Sequence, residues 1–262
     1  MPELPDVEVF RRFLEKHAVG KTIRGVEVRD AKSVDGISGR KFESVVANRR
    51  VTKTDRHGKY LFAHLDDGHS IVFHFGMTGY LRSTGNEADG NDGKYCKVLF
   101  DLSDGTKILY ANKRRLGMVT VVDDAASFIR KIELGTDALS LSVREFRKLL
   151  DGKRGSVKGF LMDQNTVAGI GNVYSDEILY QARIHPRRKV KDLSDEDIST
   201  LYNVMQDVLT TAVDNDADPE RMAGSFLLKH RDEGDSCPRC GGSVSRISAS
   251  GRSSYLCRRC QR

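Results

Sequence analysis

The sequence predicts an α+β, multidomain protein: an N-terminal β-sandwich with flanking helices, then a helical domain, then a small cysteine-rich hairpin. Three observations carry this. Between Lys21 and about Val122 the chain falls into short β-like runs separated by turn signals such as Asp66-Asp67-Gly68 and Asp104-Gly105, the pattern of a sandwich. From Ser142 onward apolar residues recur at helical spacing. Four of the five cysteines stand in the last 26 residues as two CxxC pairs.

In order along the chain, residues 4–18 read as a helix. Val7, Phe10 and Leu14 recur at helical spacing, Val9 and Phe13 widen the apolar face, and Gly20 closes it. Its start, Pro2-Glu3-Leu4-Pro5-Asp6-Val7-Glu8, has the ordinary chemistry of a helix N-terminus, a proline in the first turn with acids facing the positive end of the dipole. It also has a second property. If Met1 is removed, Pro2 presents a secondary amine beside Glu3. The β-like runs are 22–29, 45–55, 60–65, 70–75, 97–102, 107–111 and 118–122, and residues 84–94, rich in Gly, Asn and Asp, read as an exposed loop. A short helix is expected over 124–132, a linker over 135–141, and helices over 142–151, 156–163, 172–182, 194–213 and 219–230. Ser194-Asp195-Glu196-Asp197 is a capped helix start. The resulting domains are 1–134, a linker 135–141, 142–234 and 235–262.

Composition narrows the partners. The chain of 262 residues carries a net charge of +6, and its last 26 residues hold six arginines and no acid. That distribution fits a polyanion. No apolar run approaches the roughly 18 residues of a membrane span. No basic stretch followed by an apolar core marks a secretory signal. A monomeric, soluble, cytoplasmic or nucleoid-associated protein is expected, with no membrane partner.

The most specific motif is Cys237-Pro-Arg-Cys240, sixteen residues, then Cys257-Arg-Arg-Cys260. Two such knuckles match one structural zinc site of four thiolates, which fills the tetrahedron and leaves no open position. Redox-active or unpaired dithiols are the competing reading. The residues between fit a zinc-ribbon hairpin with Arg252 at its tip. A zinc tetrathiolate carries −2, so the six arginines leave the unit at about +4. The second motif, Gly169-Ile-Gly171-Asn172, lies between two helices in a helix-two-turn-helix pattern. Its backbone amides and the following helix N-terminus form an anion site suited to a phosphate.

Pro2-Glu3-Leu4-Pro5, Lys59 in Gly-Lys-Tyr-Leu, His74-Phe-Gly-Met77-Thr-Gly, Lys113-Arg114-Arg115-Leu116-Gly, Gly169-Ile-Gly171-Asn172, His185-Pro186 and the terminal cysteine pairs fall in one order over the whole chain. Together they resemble the formamidopyrimidine-DNA glycosylase / endonuclease VIII (Fpg/Nei) family. The resemblance implies a base excision repair enzyme with linked DNA glycosylase and abasic-site lyase activities. It works on double-stranded DNA containing damaged bases or abasic sites. It implies that Pro2 forms a Schiff base with the sugar C1′ and that Glu3 is the general acid/base. Lys59, the third catalytic residue it implies, contacts phosphate beside the lesion and supports the chemistry. His74, Arg115, Gly171, Asn172 and Arg252 bind DNA, and Met77, Arg114 and Leu116 fill the space left by the flipped base. The chemistry agrees. With reference pKa values near 8 for a chain-terminal amine and 10.4 for lysine, the terminus offers roughly hundreds of times more free base at neutral pH. An iminium made from a secondary amine is permanently cationic and acidifies C2′ for elimination.

Some residues depart from the family pattern. Asp6 stands where glutamate is usual, Leu116 replaces an aromatic wedge, and Asn112-Lys113 replaces Asp-Pro. Only residues 227–236 lie between Phe226 and Cys237, where members that prefer 8-oxoguanine carry a longer capping segment. Weak action on 8-oxoguanine is expected, with preference for ring-opened purines, further-oxidised guanines or oxidised pyrimidines. Two other readings stay open, a non-catalytic damaged-DNA-binding member of the same fold and a zinc-ribbon interaction protein. Retention of Pro2-Glu3 with Lys59 argues against the first, and phosphate-binding residues spread over three segments argue against the second.

Overall fold

Runs rich in Val, Ile and Phe with one buried face pair most readily into antiparallel sheets, and they do so here. The computed structural model describes residues 1–84 and 90–262. Residues 85–89, within the loop expected over 84–94, lie outside the described residues. The chain divides into two units, Met1–Pro2 with Asp6–Glu133, and Glu3–Pro5 with Leu134–Arg262.

Helix α1 (Leu4–Ala18) leads into the first unit. There β1 (Ile23–Val28), β6 (Cys96–Leu102), β7 (Lys107–Asn112) and β5 (Gly79–Thr84) form one antiparallel sheet in the order β1-β6-β7-β5. The other is β2 (Val51–His57), β3 (Tyr60–Leu65), β4 (Ser70–His74) and β8 (Met118–Val122), in chain order. Leu61, Phe73, Val98, Phe100, Ile108 and Tyr110 from the two sheets bury into one core with Val7 and Leu14 of α1, so the expected sandwich is present. Helix α2 (Gly39–Val46), the short α3 (Gly90–Tyr95) and α4 (Ala125–Lys131) flank it.

Two strand expectations are corrected. The run 45–55 begins as the end of α2. Phe42 and Val46, four apart, are both fully buried, and Ser38 caps the helix by accepting from the Lys41 N–H. Amphipathic spacing and a cap outweigh the β-propensity of Val45-Val46, and the strand starts only after Asn48 turns the chain at φ 64°. Strand β5 was missed because its sequence is mostly polar. It is an edge strand, held by register with β7 from Gly79↔Asn112 to Thr84↔Lys107.

In the second unit the segment expected as a linker contains β9 (Thr136–Asp137), which pairs in parallel with β10 (Val167–Ala168). Helices α5 (Val143–Leu150) and α8 (Asp195–Asp214) both open on capping boxes, Ser142 with Glu145 and Ser194 with Asp197. With α6 (Val157–Met162) and α7 (Asn172–Gln181) they enclose a core of Phe146, Leu161, Ile178, Leu201, Met205 and Leu209. The helix expected over 219–230 is absent. Two 3-10 turns, Pro219–Arg221 and Leu227–Lys229, flank an irregular stretch instead. Side chains of α7 supply the hydrogen bonds a helix would have made: Gln181 Nε2 donates to the Ser225 carbonyl at 3.1 Å, and the Leu228 N–H donates to Glu177 at 2.9 Å. Strands β11 (Val244–Ala249) and β12 (Arg252–Cys257) form the expected hairpin, turned by Ser250 and Gly251 at φ 51° and 72°.

Candidate functional site

Glu3 is 1% exposed, and its carboxylate is the ligand of a helix N-terminus. One oxygen accepts from the Gly171 N–H at 2.7 Å and the Tyr174 N–H at 3.2 Å. The other accepts from the Val173 N–H at 2.8 Å. These are the orphan donors at the start of α7, where the dipole favours an anion. The glycines make room. A Cβ at Gly171 would lie 2.4 Å from Glu3 Cδ, and one at Gly169, whose φ is 113°, would lie 2.6 Å from Leu4 Cδ1. The Leu4 N–H donates to the Gly169 carbonyl at 3.0 Å. The double glycine therefore receives the chain's own Glu3-Leu4. The expectation that these amides wait for a DNA phosphate is corrected: the Gly171 N–H is already engaged. Asn172, next in the turn, has a buried Oδ1 with no hydrogen-bond partner among the described residues.

In the first unit, His57 pairs with Tyr60, leaving Gly58-Lys59 as a two-residue hairpin turn with Gly58 at φ 55°. The Arg56 guanidinium donates to the Gly58 carbonyl at 3.0 Å and to Glu8 at 3.2 Å, and Glu8 also accepts from Arg11 at 2.9 Å. This half-buried ion pair fixes α1 against the turn that carries Lys59. Tyr60 lies opposite His74 on β4 with ring centroids 4.8 Å apart. Burial, and secondarily the Lys59 charge, pull the His74 imidazole down to about 4, so it is neutral at pH 7. Lys59 and His74 thus lie at the same end of the sheet.

Met77 and Leu116 sit on two adjoining turns, 37% and 54% exposed. A Cβ on Gly76 (φ 57°) would lie 2.3 Å from the Leu116 carbonyl, and one on Gly117 would lie 2.4 Å from Asn112 Nδ2. Asn112, fully buried, ties the turns together. It donates to the Phe75 carbonyl at 3.1 Å and accepts from the Thr78 hydroxyl and the Arg114 N–H, each at 3.2 Å. Sequence reasoning had noted Asn112 only as a departure, and Gly76, Thr78 and Gly117 only as members of the family motifs, with no role of their own. The glycine spacing of the two turns was the available signal. Arg114 is exposed. Arg115 is held at φ 55° with its guanidinium 3.1 Å from Asp30.

The four cysteine sulfurs lie within 4.8 Å of one another, with Cys240–Cys257 at 3.5 Å and Cys237–Cys260 at 3.8 Å. Zinc–sulfur bonds of ~2.3 Å give tetrahedral edges of about 3.8 Å, so the set fits one structural zinc, and the chain carries it. The hairpin it anchors is fastened to the helices through Asp176, which sequence reasoning also missed. This buried carboxylate accepts from Lys158 at 2.5 Å, Arg231 at 2.8 Å, the Ser254 hydroxyl at 2.5 Å and the Tyr255 N–H at 3.2 Å. At the tip, the Ser250 and Ser156 hydroxyls are 2.7 Å apart and Arg252 is exposed.

A β-sandwich, a helix-two-turn-helix that receives an N-terminal carboxylate, and a zinc hairpin define a class of zinc-finger protein. Comparison with known proteins gives the family. Residues 1–119 match the formamidopyrimidine-DNA glycosylase N-terminal domain, 134–223 its H2TH domain, and 234–262 the zinc finger found in FPG and IleRS. The formamidopyrimidine-DNA glycosylase of Pelotomaculum thermopropionicum is 36% identical, covering 100% of this chain and 99% of that one. The one from Bacillus subtilis is 33% identical over 100% and 99%. The solved complex of the Lactococcus lactis Fpg with an abasic site containing DNA superposes with a TM-score of 0.89 at 26% identity, covering 99% of each chain. The chain belongs to the formamidopyrimidine-DNA glycosylase / endonuclease VIII (Fpg/Nei) family. No helix among the described residues is long and apolar enough to cross a membrane.

Proposed function

We propose that this chain, a DNA-repair glycosylase by family, is a bifunctional glycosylase and abasic-site lyase acting on double-stranded DNA with damaged bases or abasic sites. Once Met1 is removed, the Pro2 amine attacks C1′ and the damaged base leaves. The resulting iminium withdraws electrons from C2′, whose proton is lost as the 3′ phosphate departs, and a second elimination releases the 5′ phosphate. Glu3 shuttles the protons. Lys59, His74, Asn172, Arg115 and Arg252 hold backbone phosphates, and Gly171 serves the site by docking Glu3. Met77, Arg114 and Leu116 enter the duplex where the base has left, offsetting an unstacking cost of a few kcal/mol. Functionally the chain divides at 1–134, 135–141, 142–234 and 235–262. It works as a monomer inside the cell, at the nucleoid.

The observation that carries this reading is the seat of Glu3. Three backbone amides fix its carboxylate, and the peptide bond between residues 2 and 3 then confines the Pro2 nitrogen to a small volume, as a positioned nucleophile requires. The test is borohydride trapping on an abasic-site duplex with protein shown by mass spectrometry to lack Met1. The native chain forms a covalent adduct, Pro2→Gly forms little, and Glu3→Gln slows formation. Absence of an adduct with the native chain rejects the Schiff-base mechanism and returns the protein to a binding role.

Lesion preference rests on the segment after Phe226. It is short and tied down. Leu227 is fully buried, Arg231 is bonded to Asp176, and the Gly234 N–H donates to the Val244 carbonyl at 2.9 Å. Such a segment has little length to cap an extrahelical purine. Excision of 8-oxoguanine opposite cytosine is expected to be at least tenfold slower than that of the best oxidised pyrimidine or ring-opened purine. Equal rates in a lesion panel would overturn this.

A further inference from the structure

The hairpin has two ends, and the phosphate-gripping role given to Arg252 uses only its tip. At the other end, about 20 Å away for six-residue strands, a groove of about 430 Å³ opens beside the cysteine knuckles. It is lined by Arg183, Arg239, Arg259, Arg262, Cys240 and Cys260. No acidic side chain lines it. A zinc tetrathiolate contributes −2 against four guanidinium charges, so the groove stays positive.

The arginines are built into place. Arg239 stacks 4.5 Å over the Tyr180 ring and donates to the Tyr180 carbonyl at 2.9 Å and to Gln181 Oε1 at 2.8 Å. Arg259 lies over Gly242, where a Cβ would come within 2.9 Å of its Cδ. Arg183 and Arg262 are joined through their backbones. The Arg262 N–H donates to the Arg183 carbonyl at 3.1 Å, and the His185 N–H donates to the Arg262 carbonyl at 2.8 Å. Arg183 itself is held at φ 59°. Among the described residues, no hydrogen bond or ion pair engages the guanidinium of Arg183, Arg259 or Arg262. Anchored backbones and free guanidinium heads around one concavity are what recognition of a compact oxyanion requires, since each planar fork can bind two oxygens at once.

We infer that this groove is a second phosphate-binding site, at the knuckle end of the zinc hairpin, taking a phosphate oxyanion either from a DNA backbone or free in solution. It does not depend on the Schiff-base chemistry or on the lesion segment. A tetrahedral phosphate, with two free oxygens in a DNA diester and more in the free ion, can meet several of the forks from different directions. A carboxylate, with one charge and one plane, satisfies fewer.

The test uses the zinc-loaded full chain. Inorganic pyrophosphate is titrated at constant ionic strength while the arginine Nε–H signals are followed by NMR. Saturable shifts are expected for Arg183, Arg239, Arg259 and Arg262, with at least fivefold weaker binding in Arg259→Gln. If that variant has lost zinc, Arg262→Gln takes its place. A second arm measures the salt dependence of binding to undamaged duplexes, one of about a single helical turn and one of several turns. Each phosphate contact adds about 0.9 to the log–log slope. If the phosphate belongs to DNA, the double variant Arg259→Gln/Arg262→Gln lowers the slope by about 2 on the long duplex and leaves the short one unchanged. If it is free phosphate, the pyrophosphate shifts appear and both slopes stay as they are. No saturable shift together with unchanged slopes overturns the site. Equal affinity for an oligoglutamate peptide of the same charge overturns its assignment to phosphate.

Discussion

Glycine at position 171 is there because a carboxylate must pass. Its missing Cβ leaves the space that Glu3 Cδ occupies, at 2.4 Å from where that atom would stand. Gly171→Ala is therefore expected to push Glu3 off its three amides. Leaving buried N–H groups unpaired costs about 1–3 kcal/mol, readable as a lower urea midpoint. Borohydride trapping should fall at least tenfold. Trapping at the native rate would show that the dock is not needed for the chemistry. Glu177 makes a pH prediction. Burial pushes its carboxyl up to about 7, although it accepts hydrogen bonds from Gln181 and the Leu228 N–H and Arg231 acts in the opposite direction. A raised folded-state pKa means the group stabilises the fold fully below its unfolded value near 4.3. That contribution is lost as pH rises through about 7. The native protein should lose up to a few kcal/mol between those limits, and Glu177→Gln should flatten this part of the stability–pH curve. An unchanged curve in the variant would place the titration elsewhere.

At the scale of elements, one buried cluster helps fasten the zinc hairpin to the helical body. Lys158 and Asp176 are both fully buried, and removing one member of such a pair leaves an uncompensated charge. Lys158→Met should cost about 3 kcal/mol, the low end of the usual range, because Arg231 still faces Asp176. Hydrogen exchange at the Tyr255 amide, which donates to Asp176, should accelerate with it. Native protection at that amide would show that the hairpin docks by other means. The two exposed turns of the sandwich follow a similar economy. Asn112 bonds Phe75, Thr78 and the Arg114 amide, so the polar residue that breaks the family's Asp-Pro pattern also helps tie together the turns bearing Met77 and Leu116.

For the whole molecule, each unit has its own core, and the terminal hairpin has almost none. Its satellite cluster of Tyr180, Leu227, Cys237, Val244 and Cys257 is too small to offset the entropy of ordering the strands. Chelation is expected to release one zinc per chain and to unpair β11 and β12, with loss of the Arg252 tip from any DNA complex. The sandwich, with its separate cluster around Phe73 and Tyr110, should keep its dispersed amide spectrum. A hairpin that stayed paired without metal would contradict this account.

What the sequence determined was, α2 apart, what depends on local spacing. Helix α1 follows its apolar period, α5 and α8 their capping boxes, the hairpin turn its Ser250-Gly251, and the metal its two knuckles. The family was legible because many short motifs kept one order. Three things were not legible, for one reason: each depends on partners remote in sequence. The stretch 219–230 carries helix-compatible residues but gives its hydrogen bonds to Glu177 and Gln181 instead. Strand β5 has little apolar pattern and exists because β7 offers it a ladder. The double glycine reads as a phosphate loop, and only the folded chain brings Glu3 across some 170 residues to take its amides. Local pattern chooses elements. Which groups satisfy their open donors is decided by what the tertiary fold brings within 3 Å.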